Sequence, residues 1–239
     1  MAGHSKWANI KFRKERADAK RGKVFSRIAK EIISAVKMGG ADAKVNPRLR
    51  TALQKAKEAN VPNDVVDRNI KKASNQDQAD FIEMTYELYG HGGVGIILDI
   101  MTDNKNRIAS EIRIATNKKG GSIATPGSVA FNFERKGIIV VSKKLAAEEK
   151  IFKEALEAGA EDFEAADEVF VITTDPTELF AVKEALEAKQ IPIEEANLEM
   201  VWKVPVTCSN ETAKSNLELI EWLEGIDDVD SVWHNMQTE

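Results

Sequence analysis

Apolar residues in the first third of the chain recur at the spacing of a helix. The clearest stripe has members at i, i+4 and i+8 and comprises Val24, Phe25, Ile28, Ala29, Ile32, Ile33 and Val36. The glycine pair at 39–40 ends this helix. Asn46 and Pro47 then cap and begin a second helix, and Pro62 opens a third. We therefore predict a small three-helix bundle, followed by a polar linker over 74–80.

Beyond this linker the hydrophobic period changes from 3.6 to 2, which predicts strands. Residues 81–89 alternate as a strand, and a glycine-rich turn at 90–93 leads into a second strand over 94–101. The pattern then predicts a helix over 104–118 and a strand over 128–133. This part of the chain is therefore expected to begin with a hairpin.

The most regular pattern lies between residues 137 and 202. It predicts a strand, a helix, two strands, a helix and a strand, over 137–142, 146–158, 162–166, 168–173, 176–189 and 195–202. This βαββαβ order is that of a ferredoxin-like domain.

The segments on either side of that domain predict the same order a second time. Its strands would be 94–101, 128–133, 205–208 and 229–234, with helices over 104–118 and 211–223. We therefore predict an α+β fold: an N-terminal three-helix bundle with a basic arm, then two ferredoxin-like α/β domains, one inserted into the other. The expected domains are 1–75, 81–135 plus 204–239, and 136–203. The alternative is two sequential α+β domains divided near residue 136.

Charge is distributed very unevenly along the 239 residues. The first 75 residues carry 19 Lys and Arg against 7 Asp and Glu, whereas the remaining 164 carry 15 against 32. A basic segment of this kind is typical of one that contacts a polyanion, and nucleic acid is the commonest polyanion for proteins. The alternative interpretation is a set of solvated helix faces.

We predict that the basic arm (residues 1–22) and the three helices contact phosphate groups, which gives sequence-independent affinity with a steep salt dependence. The two aromatic residues of the arm either stack on unpaired bases or pack on the bundle. The candidate contacts are Lys6, Trp7, Lys11, Phe12, Arg13, Lys14, Arg16, Lys20, Arg21, Lys23, Arg27, Lys30, Arg48, Lys55, Lys71 and Lys72.

The sequence lacks the common catalytic motifs, so we expect no enzyme, no catalytic residue, no bound metal and no cofactor. The glycine-rich turn around His91 resembles a phosphate-binding loop, but it joins two strands rather than a strand and a helix. We favour a hairpin turn there, and the alternative is an enzyme that acts on a phosphorylated small molecule.

Composition indicates a protein of the cytoplasm. The apolar runs are too short to span a membrane, and the N-terminus lacks the apolar region of a secretory signal. The single cysteine, Cys208, is expected to be a buried thiol. Residues 137–203 carry 16 acidic and 7 basic side chains, and they form either a platform for a protein partner or a solubilising surface.

Three segments of the chain resemble the YebC/PmpR family. They are Met1-Ala-Gly-His-Ser-Lys-Trp-Ala-Asn-Ile10, Asp18-Ala-Lys-Arg-Gly-Lys-Val-Phe25 and a central stretch that contains Asp103-Asn-Lys-Asn-Arg107 and Gly127-Ser-Val-Ala-Phe131. The resemblance extends from residue 2 to about residue 235. The chain departs from the family pattern at Phe12, where His is usual, and at Leu88 and His91, where Gly and Pro are usual.

The family resemblance implies a helical domain followed by two α/β domains. It also implies two different functions, because bacterial members are described as DNA-binding transcriptional regulators and mitochondrial relatives as activators of translation. In the translational version the protein binds the ribosome or RNA and aids synthesis of proline-rich stretches. The basic and aromatic composition of the arm suits irregular RNA, so the residues alone leave both partners open.

Overall fold

A computed structural model describes residues 21–73, 80–144, 147–166 and 168–238 of the chain. Its seven α-helices within these ranges are α1 (Arg21–Gly39), α2 (Pro47–Glu58), α3 (Asn63–Ala73), α4 (Lys105–Lys119), α5 (Glu148–Glu157), α6 (Leu179–Ala188) and α7 (Asn210–Gly225). The strands are β1 (Ile82–Tyr89), β2 (Gly95–Thr102), β3 (Ser122–Ile123), β4 (Phe133–Ser142), β5 (Asp162–Ala165), β6 (Val169–Thr174), β7 (Glu195–Trp202), β8 (Val206–Cys208), β9 (Val229–His234) and β10 (Met236–Thr238). The α+β class predicted from the sequence is confirmed. The predicted linker at 74–80 falls outside the described residues, except for its last position.

The helical unit, α1 to α3, is organised by the apolar stripe of α1 and by one buried amide. Ile32 and Leu49 are fully buried in its core. The Asn46 side chain accepts a hydrogen bond from Leu49 N and donates to the carbonyl oxygens of Ala35 and Gly40, so one residue caps α2 and fixes it against α1. The predicted bundle is therefore present, and its cap is a tertiary contact as well as a local one.

The first sheet has the order β3-β1-β2-β9 and takes strands from both sides of the second sheet in sequence. β1 pairs with β2 and β2 pairs with β9, both antiparallel. Alternate residues of β2, including Ile96 and Leu98, pack with Ile108 and Ile112 of α4 and with Leu219 of α7. We propose that residues 81–135 and 204–239 form one discontinuous domain on this basis.

The second sheet has the order β5-β6-β4-β7, with all three neighbouring pairs antiparallel. Counted from β4, this is the strand order 2-3-1-4 of a ferredoxin-like unit. Ile139, Ile172 and Val182 lie in the core between this sheet and helices α5 and α6. β4 begins at Phe133, so the strand crosses the boundary that we predicted at residue 136.

Two strand assignments from the sequence need correction. Residues 128–132 form a turn and a short 3-10 helix instead of the predicted strand. Strand 206–208 is present, but it pairs in parallel with β10 in a separate two-stranded sheet. The neighbours of β2 are β1 and β9, because the 90–93 turn folds β1 back along the whole length of β2.

The carboxylate of Glu87 explains why residues 127–132 leave the extended conformation. Its two oxygens accept hydrogen bonds from the backbone N–H groups of Gly127, Val129 and Ala130 at 2.6, 2.7 and 2.8 Å. Burial raises the pKa of Glu87, but these three donors together lower it further, so the net pKa lies below the ordinary 4.5. A segment whose N–H groups serve one carboxylate cannot donate them to a sheet.

The loop fixed by Glu87 yields a stability prediction. Glu87→Gln should lower the free energy of unfolding by about 1–3 kcal/mol at neutral pH, because an amide group replaces one acceptor oxygen among buried donors. Since the folded-state pKa lies below 4.5, the difference from the wild type should be complete above pH 4.5 and should be lost as the pH falls through the folded-state pKa. Urea unfolding at pH 7 and at a series of pH values below 4.5 measures both effects. Equal stabilities at pH 7 would contradict this role.

Candidate nucleic-acid interface

The structure covers part of the predicted phosphate-binding set. Arg21 and Lys23 lie in the first turn of α1. The side chains of Arg27, Lys30, Arg48, Lys55, Lys71 and Lys72 are described, whereas Lys6, Trp7, Lys11, Phe12, Arg13, Lys14, Arg16 and Lys20 lie outside the described residues. The proposal that the arm contacts nucleic acid therefore stays a prediction.

Lys30 does not face solvent, which corrects its place in the predicted set. Its Nζ lies 2.9 Å from Asp228 Oδ1, 2.9 Å from the Asp227 carbonyl oxygen and 3.2 Å from the Met101 carbonyl oxygen. Its side chain is only 12% exposed. Because an ammonium group has three N–H donors, all of them are engaged between α1 and the first sheet.

Asp228 lies at the centre of this contact. Its Oδ2 accepts hydrogen bonds from Thr102 Oγ1 at 2.9 Å and from Arg107 Nη2 at 2.5 Å, while Lys30 occupies Oδ1. Burial raises the pKa of Asp228, but the donors of Arg107, Lys30 and Thr102 outweigh it and lower the pKa below 3.8. A carboxylate that is 6% exposed is therefore kept ionised by three partners from two parts of the chain, α1 and the junction of β2 and α4.

Three further predicted cations line a cleft between the helical unit and the first sheet. Arg27 donates to the Asp230 carbonyl oxygen and to Ser231 Oγ at 3.4 Å each. Lys55 Nζ lies 2.9 Å from a carboxylate oxygen of Glu31, and Arg48 is paired with Glu83. The three side chains are 40–45% exposed, so water still reaches them.

The cleft has a volume of about 450 Å³ and its wall carries both signs of charge. Besides Arg27, Arg48 and Lys55 it includes Arg135 of β4. Its acidic members are Glu31, Glu83, Asp99 and Asp230. Burial raises the pKa of Asp99, and Arg135, Thr85 and Arg27 oppose that rise only in part.

A second set of cations on the helical unit lies outside the lining of the cleft. Arg50 and Lys57 are two turns apart on α2, on the opposite flank from Arg48 and Lys55. The members of this outward set are Lys44, Arg50, Lys57, Lys71 and Lys72, all exposed and without an ion pair to another described residue. The sequence reasoning selected Lys71 and Lys72 but missed the other three. The signal was available, because Arg50 and Lys57 are seven residues apart and therefore share one flank of the apolar stripe of α2.

The glycine-rich turn is a 3-10 turn fastened to its neighbours. The Asn216 side chain accepts from His91 N at 2.8 Å and donates to the His91 carbonyl oxygen at 3.0 Å. The Nε2 atom of His91 lies 2.7 Å from the Lys119 carbonyl oxygen. Gly92 has φ 68°, in the left-handed region that favours glycine. These contacts are those of a structural hairpin turn, as favoured from the sequence.

Two general expectations can be examined on the described residues. Within 21–73, 80–144, 147–166 and 168–238, each helix is too short or too polar to cross a bilayer. In the same ranges, His, Cys, Asp and Glu side chains form no group of three or more that is suited to a metal ion. Cys208 is buried, and burial raises the pKa of its thiol.

Comparison with known proteins defines the class of protein. Residues 5–76 match the TACO1/YebC protein N-terminal domain, and residues 81–236 match the TACO1/YebC second and third domain. The crystal structure of a conserved hypothetical protein Aq1575 from Aquifex aeolicus has a TM-score of 0.82 and 42% identity, covering 93% of this chain and 92% of that chain.

Curated relatives agree with this assignment over nearly the full length. "Probable transcriptional regulatory protein pc1328" of Protochlamydia amoebophila is 68% identical over 237 residues, 99% of this chain and 97% of the relative. "Probable transcriptional regulatory protein CTL0717" of Chlamydia trachomatis serovar L2 is 57% identical over 237 residues, 99% of this chain and 100% of the relative. The chain belongs to the TACO1/YebC family, and the resemblance to the YebC/PmpR family found in the sequence is confirmed.

The buried network around Asp228 yields a second stability prediction. Asp228→Asn should lower the free energy of unfolding by about 3–5 kcal/mol, because it leaves Lys30 and Arg107 beside a neutral group. The control is Glu157→Gln, which removes the exposed Lys153–Glu157 pair and should cost less than about 0.5 kcal/mol.

The pH dependence of the same variant follows from the sign of the shift. The pKa of Asp228 is lowered on folding, so its contribution is complete above pH 3.8 and is lost as the pH falls through the folded-state pKa. Urea unfolding across this range should show the wild type and Asp228→Asn converging in acid. A constant difference would show that the carboxylate charge is not the source of the stability.

Proposed function

We propose that the chain is a non-enzymatic, DNA-binding transcriptional regulator of the cytoplasm, which binds phosphate through its basic N-terminal region. The names of its relatives support a regulatory role. The observation that carries the proposal is the outward set on the helical unit, Lys44, Arg50, Lys57, Lys71 and Lys72. Exposed cations without carboxylate partners are available to phosphate oxygens.

The cleft cations contribute less to this first contact. Arg27, Arg48 and Lys55 already face carboxylate or carbonyl oxygens, so phosphate has to displace an existing partner there. The outward set has no such competitor among the described residues. The predicted arm contacts, with Arg13, Lys14 and Arg16 among them, add to the outward set in this proposal.

A translation factor that binds RNA or the ribosome is the second candidate. The outward cations are spread over the segment before α2, the flank of α2 and the last turn of α3. Such a spread suits the irregular backbone of folded RNA, whereas a regulator that reads duplex DNA concentrates its contacts on an element in the groove. Both candidates use the same end of the chain.

A competition titration near physiological salt separates the two candidates. Labelled promoter-length duplex is bound to the protein and challenged with unrelated duplex and with purified ribosomes. Poor competition by both supports the transcriptional regulator. Displacement by ribosomes at far lower concentration supports the translation factor, because the DNA affinity is then a consequence of charge alone.

The outward set is tested by neutralising two of its members. Arg50→Gln with Lys57→Gln should weaken nucleic-acid binding several-fold and lower the salt slope by about 1–2, since each phosphate contact contributes about 0.9 to that slope. The matched control is Lys150→Gln with Lys153→Gln on α5, which makes the same change in net charge on the acidic domain. Equal effects of the two pairs would show that only net charge matters.

The arm is tested separately by reversing the charges of Arg13, Lys14 and Arg16. We expect affinity and salt slope both to fall, because three predicted phosphate contacts become repulsive. Fluorescence anisotropy at several salt concentrations measures both quantities. Unchanged affinity and slope would remove the arm from the contact surface.

A further inference from the structure

Four cations from two different parts of the fold converge on the cleft between the helical unit and the first sheet. Arg27, Arg48 and Lys55 come from α1 and α2, and Arg135 comes from β4. Arg135 does not belong to the basic N-terminal region, so the charge distribution along the chain gave no reason to select it. The same space of about 450 Å³ brings all four together.

The contact that closes this cleft is largely ionic. It consists of Lys30 on Asp228, Arg48 on Glu83, Lys37 on Asp80 and the Arg27 contacts to the β9 segment. Phe81 adds an apolar contact to the helical core, with Lys30 Nζ 5.9 Å from its ring centroid. Ionic contacts around an open cleft are weakened by salt and by competing ions, unlike an apolar interface.

We propose that the cleft is a second phosphate-binding surface, which opens when the helical unit undocks from the first sheet. In the docked state Glu83 of β1 is paired with Arg48, and Asp230 and Ser231 of β9 accept hydrogen bonds from Arg27. Undocking releases Arg48 and Arg27 from these partners and exposes them to the backbone of a bound nucleic acid, whereas Lys55 keeps its pair with Glu31 of α1. The docked contact is therefore autoinhibitory, and this inference rests on the proposed function.

Undocking leaves no buried charge without a partner, which is why such an opening is feasible. When Lys30 leaves, Asp228 keeps its hydrogen bonds from Arg107 and Thr102 on the same side of the interface. Lys30 itself returns to water. Removal of one partner by mutation is costly because it leaves the other ion unpaired, whereas separation of the two units resolvates both surfaces.

The population of the undocked state then determines the apparent affinity of the protein for nucleic acid. If only the undocked fraction offers the full surface, the apparent dissociation constant is the intrinsic one divided by that fraction. A variant that weakens docking without touching a cation should therefore bind more tightly. Glu83→Gln is such a variant, because it releases Arg48 and leaves the Asp228 network in place.

The first measurement compares Glu83→Gln with a matched charge change elsewhere. We expect Glu83→Gln to bind short mixed-sequence duplex DNA about threefold more tightly than the wild type. Glu221→Gln, at an exposed position on α7, makes the same change in net charge and should leave the affinity within experimental error. Equal gains in the two variants would overturn the inference, because general electrostatics would then explain both.

The second measurement follows the docking itself in the full chain. Spin labels at Val45→Cys and Ile114→Cys, both exposed, report the distance between the helical unit and α4, while the native Cys208 is buried. We expect the distance to lengthen and its distribution to broaden in Glu83→Gln and on saturation with the duplex. An unchanged distance in a complex that has formed would overturn the opening and leave the proposed function standing. Failure of every variant to bind nucleic acid would instead overturn the proposed function, and this inference with it.

Discussion

The carboxylate of Asp228 connects its own segment before β9 with two others that are far from it in sequence, α1 and the junction of β2 and α4. Lys30 reaches it from α1 across a separation of 198 residues, Arg107 from the start of α4 and Thr102 from the end of β2. The Asp228 carbonyl oxygen also accepts from Met101 N at 2.9 Å, beside the register shift between β2 and β9. The position of the helical unit on the first sheet therefore depends on one ionised group.

This dependence divides the basic residues of the helical unit by role. Arg27, Lys30 and Arg48 contact the first sheet, whereas the cations on the opposite flank of α2 and at the end of α3 are those proposed to bind an external partner. A count of charges cannot separate the two sets, because each lysine or arginine adds the same charge whichever way its side chain faces. The flank of the helix decides it: positions 48 and 55 face Glu83 and Glu31, whereas 50 and 57 face away.

The sequence predicted secondary structure well where the hydrophobic period is uniform. Strands β7 and β9 begin and end at the predicted residues. Asn46 caps α2 as predicted, and Asn104, where the next helix was predicted to begin, caps α4. The prediction failed at 128–132, where the buried Glu87 accepts hydrogen bonds from three backbone N–H groups 40 or more residues away. For the candidate interface, the sequence identified the basic residues. It could not predict that Lys30 pairs with Asp228, because a local sequence pattern carries no information about a residue 198 positions away.

The acidic residues after position 75 affect the order in which a polyanion can reach the outward set and the cleft cations. Residues after 75 carry 32 acidic side chains against 15 basic ones, and the cleft lies directly against that part of the chain. In the proposed mechanism an approaching phosphate backbone meets four acidic side chains at the docked cleft, but among the described residues it meets no carboxylate partner at the outward set. First contact at the outward set brings a high local concentration of phosphate to the edge of the cleft. Phosphate can then compete with Glu31 and Glu83 for the inner cations, so the outward set acts before the cleft.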